Sequence, residues 1–195
     1  MNFILASGSS SRAQILRDAG VPFTVHPAQI DEDAIKKEMH SADGRAIAER
    51  LAEQKALHIS TKHPQDLVLG ADQVLMLGDD LVSKADTIEA AVAQLRKLRG
   101  QKHQLIGALV LAKNGMPVWR HTEISTLWVR DFGDVFLDAY LKAEGDQILG
   151  SVGCYRFEGP GAQLFERVEG DYFSILGLSL LPLLAALRDH GVLER

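Results

Sequence analysis

Asp72 stands inside LVLGADQVLML, residues 67 to 77, a run so apolar that it reads as a buried central strand. An unpaired carboxylate there would cost several kcal/mol, so Asp72 needs a cation or a hydrogen-bond network. It is either a structural aspartate satisfied near a strand end or a carboxylate placed for acid–base or metal chemistry. Lys55 poses the matching problem. Ala48, Leu51, Ala52, Ala56 and Ile59 recur at helical spacing between Gly44 and about Ile59, and Lys55 falls on that stripe. A lysine so placed either snorkels to water or finds a partner. Lys84, in LVSKAD, is either a solvated turn residue or a third member of the same set.

The stretch ILASGSSSRAQIL, residues 4 to 16, adds the anion side of the problem. It passes from an apolar strand through small polar residues into a helix whose first turn carries Arg12. The positive end of a helix favours Asp or Glu, so an arginine there calls for something negative. Unpaired N–H groups at the helix start, the hydroxyls of Ser9 and Ser10, the cations Arg12, Lys55 and Lys84, and the acid Asp72 together are what a phosphate-ester or polyphosphate site requires. Ser9 or Ser10 either caps the helix or donates to the ligand. Arg12 would hold a phosphate through two parallel hydrogen bonds, and the lysines would act as point charges. Asp31, Glu32 and Asp33, in IDED, make either an exposed acidic turn or a source of one Mg²⁺ or Mn²⁺ ligand, for which spacing favours Glu32.

The elements that must position these residues follow from pattern. Residues 2 to 7 read as a strand, 10 to 19 as a helix stopped by Gly20, and VPFTVHPAQ as a second extended segment closed by Pro27. The stripe from Gly44 gives a helix, 67 to 77 a strand, and ADTIEAAVAQLRKLRG a helix ending at Gly100. Two β-branched runs between His103 and Phe132, joined by Asn114-Gly115, form a hairpin. DVFLDAYLKAEG and LSLLPLLAALRDHG supply two more helices, the second with Pro182 in its first turns. Interleaved strands and helices with an inserted hairpin make an α/β fold on a mixed sheet.

Composition narrows the function. The chain has 195 residues, 46% hydrophobic and 24% charged, enough for one domain with a sizeable core. A net charge of −5 argues against nucleic acid or a membrane surface as partner. The single cysteine, Cys154, reads as a core residue and fits a reducing compartment, so a cytoplasmic location is expected. There is no phosphate loop of the G-x-x-x-x-G-K type, no G-x-G-x-x-G after a strand, no H-E-x-x-H and no G-x-S-x-G.

The ordered set LASGSSSR, AEQKA, GADQVL, LVSKA, GQKH, YRFEGPG and LFERVEGDYFSILGL resembles the Maf family of nucleotide pyrophosphatases over essentially the whole chain. The resemblance implies one domain over 1–195. It also implies an elongated mixed β-sheet flanked by helices, with two lobes and a central cleft. The activity implied is hydrolysis of a nucleoside triphosphate to monophosphate and pyrophosphate with a divalent metal, Mg²⁺ or Mn²⁺. By motif, Asp72 becomes the catalytic carboxylate and a metal ligand, Glu32 the second metal ligand, and Ser9, Arg12, Lys55 and Lys84 the substrate-binding groups. Partners expected are the nucleotide and, optionally, a second copy of the chain.

Departures from the family pattern are Ser11 for an arginine, Gln73 in GADQ, IGAL at 106 to 109, and Ala85 for proline. Glu158 in YRFEG replaces the glutamine of dTTP/UTP-type members and looks closer to the 7-methyl-GTP type. Its carboxylate could accept from the N1 and 2-amino edge of a guanine, or it could pair with Arg156 in a turn. The alternatives are a dTTP/UTP-type enzyme, a non-catalytic nucleotide-binding regulator of cell division such as septum formation, and an aspartyl-phosphate phosphatase. The last lacks the usual D-x-D, since Val74 stands two residues after Asp72.

Overall fold

A computed structural model describes residues 1–39 and 43–194. The chain runs β1 (Phe3–Leu5), α1 (Ser10–Asp18), β2 (Thr24–Val25), α2 (Glu32–Glu38), α3 (Gly44–Ser60), β3 (Leu67–Leu77), β4 (Asp80–Val82) and α4 (Ile88–Leu98). It continues with β5 (Lys102–Lys113), β6 (Met116–Val129), α5 (Asp134–Glu144), two 3₁₀ turns (Gly145–Gly150 and Pro160–Leu164), β7 (Phe165–Glu169), α6 (Tyr172–Ile175) and α7 (Leu180–Asp189). The strands form one mixed sheet in the order β2-β1-β3-β5-β6-β7, with β4 on β3. β1 is parallel to both β2 and β3, whereas β3–β4 and β6–β7 are antiparallel.

The residues gather into two compact units, and β3, β5 and β6 each contribute to both. The first unit takes Met1–Gln73, Gly107–Glu123 and the chain from Tyr172 onward; the second takes Val74–Ile106 and Ile124–Asp171. In the first unit, alternation along the strands buries both faces of the sheet. Phe3, Leu5, Leu67, Leu69, Ala71, Leu109 and Leu111 pack with Ala13, Ile15 and Leu16 of α1 and with Leu180, Leu183, Ala186 and Leu187 of α7. On the other face, Ile4, Ala6 and Val68 meet Ile59 of α3. A Cβ on Gly70 would lie 2.1 Å from the Ala52 carbonyl oxygen and 2.5 Å from the Ala56 nitrogen, so glycine lets the backbone of α3 rest directly on β3.

The expected elements form, with shorter ends. The first strand covers three residues instead of 2 to 7, and the second extended segment pairs over only Thr24–Val25, flanked by Pro22 and Pro27, which have no N–H for a ladder. IDED is a helix start, not a turn: the Asp31 side chain accepts from the Ala34 N–H at 2.9 Å and caps α2. Glu32 and Asp33 then occupy the first turn and Lys36 and Lys37 the last, complementing the helix dipole. GPGAQ winds into a 3₁₀ turn. Among the described residues no helix is long and apolar enough to cross a membrane.

The second unit holds its own polar core group. His103, 1% exposed, has Nε2 2.7 Å from the Tyr155 hydroxyl, and its Nδ1 has no partner among the described residues. Burial pushes its pKa from 6.5 down to about 4. The imidazole is therefore neutral in the fold while the unfolded chain protonates near the ordinary value. Its contribution to stability is complete above the unfolded pKa and is lost as the pH falls toward the folded one. Urea unfolding should show a His103-dependent loss of about 2 kcal/mol between about pH 7 and about pH 5. His103→Phe should flatten that slope, and a variant that keeps the full drop would assign it to other groups.

Candidate active site

The site is assembled where β3 meets α3, α2 and the start of α1. Gly70 and Asp72 share one face of β3, being two residues apart, and α3 lies against Gly70, so the buried stripe of α3 carries Lys55 onto Asp72. Lys55 Nζ is 2.6 Å from Asp72 Oδ1 and 2.7 Å from Glu32 Oε1. Lys55 is 8% exposed and Asp72 7%. Glu32, the first residue of α2, keeps 40% of its side chain in solvent and also lies 4.0 Å from Lys36 Nζ. One ammonium thus bridges two carboxylates from different elements.

Arg12 folds inward from the first turn of α1. Its Nε donates to the Gly177 carbonyl at 2.9 Å, and its Nη1 donates to Ser7 Oγ at 3.1 Å and to the Ala71 carbonyl at 2.9 Å. Gly177 has φ +100°, a backbone that disfavours a side chain and turns its carbonyl to the guanidinium. Nη1 and Nε are therefore spent on the protein, and Nη2 is the edge left to a ligand among the described residues. The charges of Asp72 and Glu32 offset only part of the cost of burying the guanidinium, whose pKa falls below its ordinary value. Ser9 Oγ accepts from the Arg12 N–H at 3.4 Å and caps α1, while its hydroxyl hydrogen remains available to donate.

The two carboxyls titrate in opposite directions. Burial raises the Asp72 pKa, and Lys55 and Arg12 recover only part of that rise. Burial also pushes Glu32 upward, but in its wetter place the Lys55 hydrogen bond and the charges of Lys55, Lys36 and Arg12 carry it below the usual carboxylate value. Asp72 is the member of the pair that more readily takes a proton, and its Oδ2 has no protein partner among the described residues.

Lys84 and Glu158 belong to the second unit. Lys84 is exposed, two residues beyond β4, and its charge lies close enough to Cys154 to oppose the burial that raises that thiol to about 11. Glu158 Oε1 lies 3.4 Å from Arg156 Nε, and Arg156 Nη1 also reaches Glu144 Oε2 at 3.5 Å and bonds Gln147 Oε1. Sequence reasoning missed Ser7, Gly177 and Gln73 as parts of the site. Gln73 Nε2 donates to the Ser174 carbonyl of α6 at 2.8 Å, which fixes α6 beside the strand that bears Asp72. A second polar side chain in a continuous apolar strand was the available signal.

The donor set suits a hard divalent cation. Glu32 and Asp72 already converge on one positive point, the Lys55 ammonium. Among the described residues no group of three or more His, Cys, Asp or Glu side chains comes together to hold a metal. The protein would thus offer two carboxylates and leave the other positions to phosphate oxygens and water, the usual manner of Mg²⁺ at phosphate-handling sites.

Comparison with known proteins agrees with this chemistry. The Maf-like protein family model matches residues 2–190. The chain is similar to a nucleoside triphosphate pyrophosphatase of Maricaulis maris (strain MCS10), 51% identical over 193 residues covering 99% of this chain and 98% of that protein. It is 48% identical over 196 residues to one from Granulibacter bethesdensis (strain ATCC BAA-1260 / CGDNIH1), covering 99% of each. It is also 45% identical over 196 residues to a 7-methyl-GTP pyrophosphatase of Brucella abortus biovar 1 (strain 9-941), covering 100% of this chain and 98% of that one. With its whole site region inside the matched span, the chain belongs to the Maf family.

Proposed function

We propose that this protein is a cytoplasmic nucleoside triphosphate pyrophosphatase, acting as one catalytic domain and selecting a purine or modified purine such as 7-methyl-GTP. The observation that carries the reading is the buried ammonium of Lys55 held between Glu32 and Asp72, with Arg12 of α1 anchored nearby on the Ala71 carbonyl of the strand that bears Asp72. Such a cluster has no evident structural need, since an apolar packing of similar volume is commonly as stable as a buried ion pair. The relatives' names supply the reaction class.

In this reading the Asp72 Oδ2 takes a proton from water, whose oxygen bonds to the α-phosphorus while the α–β bridging bond breaks and pyrophosphate leaves with its electron pair. Arg12, Lys55, the Ser9 hydroxyl and the N–H groups of α1 bind the phosphate oxygens. Glu32 and Asp72 would hold Mg²⁺ or Mn²⁺, which supplies charge neutralisation on the triphosphate. A nucleotide panel assayed with either metal, scoring pyrophosphate and orthophosphate separately, tests the class. Release of orthophosphate alone would reject it.

Glu158 tests the base preference. If its carboxylate accepts from a guanine edge, Glu158→Gln shifts the kcat/KM ratio of 7-methyl-GTP over UTP toward UTP by about tenfold. If Glu158 serves only Arg156, both substrates decline together with the melting temperature, and an unchanged ratio removes the purine preference.

A further inference from the structure

The side chains of the site already balance one another's charge. Two carboxylates, Glu32 and Asp72, face two cations, Lys55 and Arg12, and each acid is paired. Lys55 Nζ holds one oxygen of each acid within 2.7 Å, which is the position any bridging cation must claim. Displacing it with a free divalent ion would leave a buried ammonium with no partner and add two positive charges to a neutral cluster, a costly exchange. A polyphosphate arriving with the metal changes the balance, because its oxygens give Lys55 and the open Nη2 of Arg12 new acceptors.

We propose that Lys55 is a placeholder for the metal: it holds Glu32 and Asp72 together in the ligand-free protein and changes partners from carboxylate to phosphate on binding. The site therefore takes a divalent cation together with a polyphosphate and discriminates against the cation alone. This rests on the metal-dependent reading above and assigns Lys55 a positioning role within it. Glu32 is the carboxylate that gives way, being 40% exposed on a short helix with Lys36 as a second, looser partner at 4.0 Å. Asp72 stays fixed on the strand. By linkage, the metal and the polyphosphate must strengthen each other's binding by the same factor.

The experiment measures Mn²⁺ binding to the full chain by the spectroscopic signal of free Mn²⁺, without nucleotide and with an α,β-methylene triphosphate analogue. The wild-type protein should bind Mn²⁺ weakly alone and much more tightly with the analogue. Lys55→Met, of similar length and uncharged, should bind Mn²⁺ alone on the order of tenfold more tightly than wild type, and lose a similar factor of coupling to the analogue. Its metal-free melting temperature should fall and recover with Mn²⁺.

Equal or weaker Mn²⁺ binding by Lys55→Met, with binding abolished in Asp72→Asn, overturns the placeholder but keeps the metal site. Mn²⁺ binding unchanged in both Asp72→Asn and Glu32→Gln overturns the metal-dependent reading and the placeholder with it. Should Lys55→Met fail to fold, the wild-type protein decides the matter by nitrogen NMR of its lysine ammonium groups. A solvent-shielded Lys55 signal should persist with Mg²⁺ alone and move when the analogue is added. Its absence, or its complete shift on Mg²⁺ alone, overturns the proposal.

Discussion

Replacing Asp72 with asparagine lowers turnover by about a hundredfold or more while the fold and metal-free nucleotide binding persist. The amide matches the carboxylate in shape, so the packing of β3 against α3 is retained, but it removes the proton acceptor. Burial already raises the pKa of Asp72 above that of an ordinary aspartate, which makes it a better base than Glu32 in the same cluster. Losing one charge also leaves Lys55 with Glu32 as its remaining carboxylate, which keeps the ammonium paired and limits the damage to stability. Steady-state turnover, metal-free nucleotide binding by calorimetry and a thermal melt on one preparation check all three claims. Near-normal turnover would remove Asp72 from the chemistry.

Replacing Arg12 with alanine costs about 2 to 4 kcal/mol of transition-state stabilisation, as for loss of one well-placed electrostatic donor. It also costs fold stability. The carbonyls of Gly177 and Ala71 lose their donor in a buried place, and Asp72 loses a neighbouring positive charge. Arg12→Lys separates the two effects, because an ammonium keeps the charge but cannot reach both carbonyls with a planar fork. Its melting temperature should fall nearly as far as that of the alanine variant, while kcat/KM falls less. Unchanged kinetics in Arg12→Ala with a raised melting temperature would make Arg12 an awkward helix residue with no role in binding.

Much of the site was legible because it violates local rules. Asp72 interrupts an apolar strand, Lys55 an apolar helical stripe, and Arg12 the acidic preference of a helix start, and each violation is visible within about a dozen residues. Period-2 and period-3.6 patterns likewise placed β3, α3, α4, α5, α7 and the β5–β6 hairpin, since each pattern reports which face is buried. Gln73 was visible as a departure yet lacked a role, because its partner, the Ser174 carbonyl, is 101 residues away.

Tertiary structure decided which partners those residues meet. Lys55 is joined to Asp72 across 17 residues because Gly70 allows backbone contact between α3 and β3, and no periodicity encodes that closeness. Arg12 finds acceptors 59 and 165 residues away, where an anionic ligand alone had been expected to satisfy it. Glu158 acquires Arg156 as a neighbour, one of the two roles its sequence allowed. Residue type and spacing placed Asp72 and Lys55 on apolar patterns and left open whether Lys55 reaches water or a partner, since local pattern reports a buried face and not the path of a long side chain. Which charges neutralise one another depended on long-range packing, because electrostatic pairing is set by distance in space and not along the chain.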